Sequence, residues 1–172
     1  MSSYELHRVD RVTAGAVGEP GRRTFFLQAR KGDQVVSVVV EKQQVELLAE
    51  AVDQLLDRVD LPEPDPPEDD LELEEPLEPA FRAGQIALGY DADEDLILVQ
   101  CDELADEEED EASAGSSVRL WATRGQMRAL AEHAAAVVAA GRPTCRMCGG
   151  PVDPEGHFCP PSNGHRLTER LP

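Results

Sequence analysis

Thr24-Phe25-Phe26-Leu27-Gln28-Ala29, then Lys31-Gly32-Asp33, then Val35-Val36-Ser37-Val38-Val39-Val40 and Glu41-Lys42-Gln43-Gln44-Val45 mark the place where the hydrophobic period of this chain changes. The first and third runs are rich in aromatic and β-branched residues and are separated by a glycine turn, which predicts a hairpin. From Glu41 onward the apolar positions Val45, Leu48, Val52, Leu55, Leu56 and Val59 recur every three or four residues. That spacing places them on one face of a helix. Upstream, Tyr4 to Thr13 reads as a strand ending at Ala14-Gly15, and Gly18-Glu19-Pro20-Gly21 as a turn. Residues 1–59 therefore read β-β-β-α.

The same order returns after residue 79. Phe81 to Tyr90, Asp95 to Cys101 and Val118 to Ala122 have strand patterns. Thr123-x-x-Gln126 is a capping box that opens a helix with Met127, Leu130, Ala134, Val137 and Val138 on one face. Gly141 and Pro143 stop it. Particular residues also correspond: Ala14-Gly15 with Ala83-Gly84, Leu27-Gln28 with Val99-Gln100, Gln44 with Gln126, and Leu48-Ala49-Glu50 with Leu130-Ala131-Glu132. An internal duplication is expected, with residues 80–141 as the second unit and a pseudo-two-fold between the units, so that each helix covers strand surface. The fold class is α+β: two β-β-β-α repeats plus a C-terminal zinc-ribbon-like knuckle over 142–172.

Charge is unevenly spread. The formal net charge is −19. Residues 60–116 hold 22 acidic side chains and 1 basic one, whereas the flanking segments are close to neutral. Within 60–79 stand six prolines and ten acids. Proline removes backbone donors and like charges repel, so this stretch is expected to be an extended, solvated linker. A second acidic run, Asp102 to Glu111, lies in the loop 102–117. Such a distribution argues against a nucleic-acid surface, and no apolar run is long enough to span a membrane. The expected partner is another protein.

The chemistry is concentrated in Cys145-Arg-Met-Cys148-Gly-Gly-Pro-Val-Asp-Pro-Glu-Gly-His157-Phe-Cys159, followed by His165. Zinc takes four thiolate or imidazole ligands in a tetrahedron, and this stretch offers five. Cys145, Cys148 and Cys159 are the expected sulfur ligands, with His157 as the fourth and His165 as the alternative. The chain opens Met-Ser-Ser-Tyr-Glu with no apolar leader, so the expected location is the cytoplasm, where thiols bind metal rather than pair. A saturated ligand set points to a structural ion.

Outside the knuckle no phosphate loop, His-Glu-x-x-His or nucleophile elbow occurs. Arg23, Gln28 and Gln100 are candidates for a shared groove at the repeat interface. Phe25, Trp121 and Cys101 read as core. Asp91 to Asp95 lacks the glycine and distant glutamate of a calcium loop and reads as a charged turn.

Val17 to Gly21, Arg23 to Arg30, Glu41-Lys42, Phe81 to Gly84 and the Cys145–Gly164 knuckle together resemble the actinobacterial family called domain of unknown function 3090, also described as a repeat protein. The resemblance covers nearly the whole chain and brings no established activity. Family genes neighbour those of a histidine-phosphatase-like protein, a lipid-kinase-like protein and a mycothiol-synthesis ligase. Members carry tyrosine where this chain has His165, which on that resemblance favours His157. Two functions compete: a non-enzymatic, zinc-stabilised adaptor or regulatory module, and an enzyme or enzyme subunit with a site at the repeat interface.

Overall fold

The structure, a computed structural model, describes residues 2–62, 64–68, 70–106, 115–141 and 145–147, with the backbone of 157–158 and 166–167. Strands β1 (Ser3–Leu6), β2 (Arg11–Val17), β3 (Thr24–Lys31) and β4 (Gln34–Val40) precede helix α1 (Lys42–Arg58). Strands β5 (Pro79–Asp91), β6 (Leu96–Glu103) and β7 (Ser117–Thr123) precede α2 (Arg124–Ala139). A short hairpin, β8 (His157–Phe158) with β9 (Arg166–Leu167), follows.

The seven longer strands form one sheet in the order β1-β7-β6-β5-β4-β3-β2. Laid flat, its two edges would stand about 29 Å apart at ~4.8 Å per strand. Yet Leu6 ends β1 and Arg11 opens β2, a reach of about 18 Å at most for a fully extended chain. The sheet must therefore curl until its edges meet. Val9 N–H donates to Trp121 O at 2.9 Å on β7, and Asp10 N–H donates to Arg30 O at 2.8 Å on β3. Residues 3–17 are thus one bent strand that pairs first with β7 and then with β3, and the ring closes as a barrel. The expected single first strand is broken at the bend, where Arg8 takes a left-handed φ of 56°.

β5 does the same in the other half. Its first residues run parallel to β4, with Val39 opposite Arg82, and the remainder runs antiparallel to β6. Each half contributes a bent strand, two more strands and a helix, but the bent strand of each half pairs with the last strand of the other. The boundary at residue 59 divides the sequence, not the sheet.

Alternation sorts the side chains. Val12, Ala14, Leu27, Ala29, Val36 and Val38 face inward with Val99, Cys101, Val118 and Leu120, all buried in one core. The apolar stripes of α1 (Val45, Leu48, Val52, Leu56) and α2 (Met127, Leu130, Ala134) join it. The α2 capping box forms as expected: Gln126 N–H donates to Thr123 Oγ1 at 3.1 Å, and Thr123 N–H to Gln126 Oε1 at 2.9 Å. The α1 entry uses Gln44 likewise, accepting from Glu41 N–H at 2.7 Å. Each glutamine also reaches the bend of a paired strand, Gln44 Nε2 to Ala83 O and Gln126 Nε2 to Val9 O. Among the described residues no helix is long and apolar enough to cross a membrane.

The ladders correct one correspondence. If Gln28 matches Gln100, then Ala14 (opposite Leu27) matches Leu88 (opposite Val99), and Gly15 matches Gly89. Ala83 instead stands opposite Glu103, at the bend. A dipeptide match along the sequence had aligned a strand interior with a strand corner. Trp121 is a second correction. Phe25 is core, but Trp121 is half-buried on the outer face, flanked by His7 (ring centroids 5.5 Å apart) and Arg119 (5.2 Å).

An ion pair between a buried arginine and a half-exposed aspartate ties the β5–β6 turn to α2. Arg124 donates to both Asp95 oxygens, at 2.7 and 3.0 Å, and Tyr90 Oη donates to the same carboxylate at 2.8 Å. The guanidinium, aided by the tyrosine, holds the Asp95 carboxyl below its ordinary value of 3.8. A depressed carboxyl stabilises the fold above its ordinary pKa and loses that contribution as pH falls through the native value. Asp95→Asn should therefore flatten the loss of stability between about pH 5 and about pH 2 seen in urea titrations of the wild type. Arg124→Ala should cost about 1–2 kcal/mol at neutral pH, less than a fully buried pair because Asp95 is nearly half exposed.

Candidate functional site

The most unusual polar cluster lies on the outer face of β2 and β3, under the acidic Pro-rich stretch. That stretch is extended, as expected, but it is docked rather than free. Arg11 Nε donates to Asp70 O at 2.6 Å, and its Nη2 donates to Glu72 O. Thr13 Oγ1 donates to Leu71 O at 2.5 Å. Gln28 grips the backbone of Glu74 from both sides, Nε2 donating to its carbonyl at 3.0 Å and Oε1 accepting its N–H at 2.8 Å. Arg30 meets the Glu74 carboxylate at 3.2 Å. Farther up, Arg124 Nη1 donates to Pro62 O at 2.9 Å.

Glycine makes room for this strap. A Cβ on Gly15 would lie 2.7 Å from Leu73 Cγ, and one on Gly125 would lie 2.6 Å from Asp65 O. Leu73 thus seats in the notch that the missing side chain leaves. Beneath the strap Thr13, Gln28 and Ser37 are buried, although their outward position in the ladder would otherwise expose them. Buried polar groups need partners: the main chain of the strap supplies them to Thr13 and Gln28, and Ser37 Oγ accepts from Gln28 Nε2 at 3.0 Å. These contacts read the strap mostly through its backbone, so no side-chain pattern in the sequence announced them. The signal that was present is Thr13, Gln28 and Ser37 on the strand positions that alternate with the apolar core residues, beside Arg11 and Arg30.

The three residues expected to share a groove each have a partner elsewhere. Gln28 is sealed under the strap. Arg23 Nη1 donates to Val137 O at 2.7 Å near the end of α2, with its guanidinium over Phe25. Gln100 Nε2 donates to the Asp102 carboxylate. Strands β4 and β5 stand between β3 and β6, and outward side chains on a closed sheet diverge. A separate open groove of about 360 Å³ runs between α1 and β5, lined mainly by Leu47, Leu48, Ala51, Ile86 and Leu88.

Of the knuckle, Cys145 is described: its thiol is buried and accepts the Met147 N–H at 3.4 Å. Cys148, Cys159 and His165 lie outside the described residues, and so does the side chain of His157. Among the described residues no three metal-binding side chains gather. Cys101 is fully buried, and burial, then the Asp102 charge, pushes its thiol up to about 12.

Residues 4–159 match the family model described as "Protein of unknown function (DUF3090)". The chain belongs to that family. No curated protein and no solved structure matches it. The family carries no assigned chemistry, so the site has to be argued from its own geometry.

Two outcomes follow from that geometry. Gln28→Leu leaves the Glu74 backbone without its buried partners and should destabilise the fold by about 1–3 kcal/mol in urea unfolding. It should also expose residues 60–78 to limited proteolysis, and Gly15→Ala should do the same by pushing Leu73 out. Cys101 should stay unreactive toward a thiol reagent at pH 8 until the chain is unfolded.

Proposed function

We propose that this chain is a non-enzymatic binding module for extended peptide segments, stabilised by a structural zinc ion at its C-terminal end. The observation that carries the reading is the strap. A sheet face grips five residues of extended chain, Asp70 to Glu74, through Arg11, Thr13, Gln28 and Arg30, and gives one apolar side chain a glycine-floored seat. Backbone hydrogen bonds for affinity and one pocket for choice are the ordinary physics of peptide capture on sheets.

The reading takes the two β-β-β-α units as repeats related by a pseudo-two-fold along the barrel axis. Its support is the matching of pairings: β4 parallel to β5 and β7 parallel to β1, with Gln44 and Gln126 reaching the two bends. Such an arrangement makes the outer faces of both units equivalent in position.

For the metal, the reading assigns Cys145, Cys148, Cys159 and His157 as ligands, with His165 as the alternative. Support comes from Cys145, a buried thiol that receives an amide N–H from two residues on, an environment suited to a thiolate ligand. Bound zinc would supply folding energy to a segment too short to have a core of its own. A reducing cytoplasm suits such thiols, and the partner would be another protein.

Elemental analysis of the full chain purified with a reductant should find one zinc per chain, lost in Cys145→Ser, Cys148→Ser and Cys159→Ser. His157→Ala and His165→Ala decide the fourth ligand by which of them loses metal. Metal-free protein that melts at the same temperature as the zinc-loaded form would overturn the metal assignment. Affinity capture of the tagged chain from its own cells should return a protein bound at fixed stoichiometry. Recovery of chaperones alone would overturn the binding role.

A further inference from the structure

The strap covers the outer face of one unit, and among the described residues no such strap lies over the matching face of the other unit. On the covered side the ladder sets Gly15, Phe26 and Val39 in one cross-strand row and Thr13, Gln28 and Ser37 in the next. On β5, β6 and β7 the same rows read Gly89, Leu98, Trp121 and Ala87, Gln100, Arg119. Leu73 fills the notch over Gly15. Over Gly89 a Cβ would meet only Leu98, at 3.8 Å, so that notch has room. Its walls are the half-buried Leu98 and Trp121.

The charges of the two faces are inverted. The strap's Glu74 meets Arg30 beside Arg11, and the matching positions hold Asp102 and Gln85. Glu5 and Glu94 stand at the margin, on Arg119 and His7 respectively. Arg119 also stands there, and it lies over the Trp121 ring with Glu5 against it. Gln100, the counterpart of the residue that grips Glu74, donates from Nε2 to the Asp102 carboxylate on this face.

We propose that the outer face of β5–β7 is a second cradle whose occupant is an extended basic segment of a partner protein. The proposal rests on the peptide-binding reading above. An apolar side chain seats over Gly89 between Leu98 and Trp121, as Leu73 does over Gly15. The next residue is a lysine or arginine that takes Asp102, with signs reversed from the Arg30–Glu74 pair. Gln100, released from Asp102, turns to the backbone of that residue as Gln28 does to Glu74.

The chain contains one tryptophan, so intrinsic fluorescence reads this face directly. The probe is a peptide Lys-Leu-Lys-Leu-Lys-Lys-Pro, the strap sequence 70–76 with every acid replaced by lysine. The control is the acidic parent. Expected for the full-length chain is a saturable 1:1 change in Trp121 emission with the basic peptide, weakened by salt, and binding of the acidic parent at least about tenfold weaker. Gly89→Leu should weaken the basic peptide at least about tenfold by filling the notch. Asp102→Lys, which adds no bulk over Gly89, should reverse the preference toward the acidic parent. Far-UV circular dichroism checks that both variants fold.

An unchanged emission, equal binding to Gly89→Leu, or a preference that survives Asp102→Lys would overturn the proposal. Equal binding to Gly89→Leu would mean diffuse attraction to an acidic chain. A concentration-dependent dimer in sedimentation that Gly89→Leu abolishes would assign the face to a second copy and also overturn it. If Gly89→Leu captures the same cellular partner as the wild type, this site fails while the binding role stands. If the wild type captures none, both fail.

Discussion

Four residues, His7 to Asp10, carry the chain from one edge of the sheet to the other, and everything else in the fold follows from that short span. A connection of this length cannot bridge an open seven-stranded sheet, so the sheet closes. Closure puts the alternate side chains of six strand positions into one interior and removes the exposed edges that an open sheet of this length would present. It also fixes the role of the two helices. Their N-terminal glutamines bond to the backbone at the bends, where the ladder changes partner and carbonyls would otherwise lose their acceptor duty.

The strap depends on that closure. Once the interior is filled by aliphatic side chains, the polar residues Thr13, Gln28 and Ser37 can only face outward. They are buried because the acidic stretch lies over them, meeting the donors of Thr13 and Gln28 with main-chain carbonyls while Ser37 accepts from Gln28. Asp70 and Glu72 stay in solvent while Leu71 and Leu73 are half-buried, and Glu74 turns its carboxylate to Arg30 on the sheet. A run of acids and prolines can thus be tightly placed while most of its charge stays solvated or paired.

Much of the architecture was legible in residue order. The two changes of period at Glu41 and Thr123, the glycine turn at Gly32, the Thr123–Gln126 box and the buried Cys101 all appear where their local chemistry placed them. Those features depend on neighbours within a few residues. The outer-face position of Trp121 was not legible, since a tryptophan among valines and leucines suits either side of a strand and only the register assigns it. The split of Arg23, Gln28 and Gln100 among three unrelated partners was hidden for the same reason. Gln28 and Gln100 both face outward, with β4 and β5 between their strands, and outward side chains on a closed sheet point away from one another.

Amino-acid order alone was enough to define the types and order of most elements, the uneven charge and the close spacing of three thiols and two imidazoles near the C-terminus, because each rests on local spacing or composition. Folding decided what those elements do to one another. Strand exchange between the halves, the seating of Leu73 over Gly15 and the grouping of Leu98, Gln100, Asp102 and Trp121 around Gly89 arise from contacts between residues tens of positions apart. No local pattern records such contacts, since they exist only once the ring has closed.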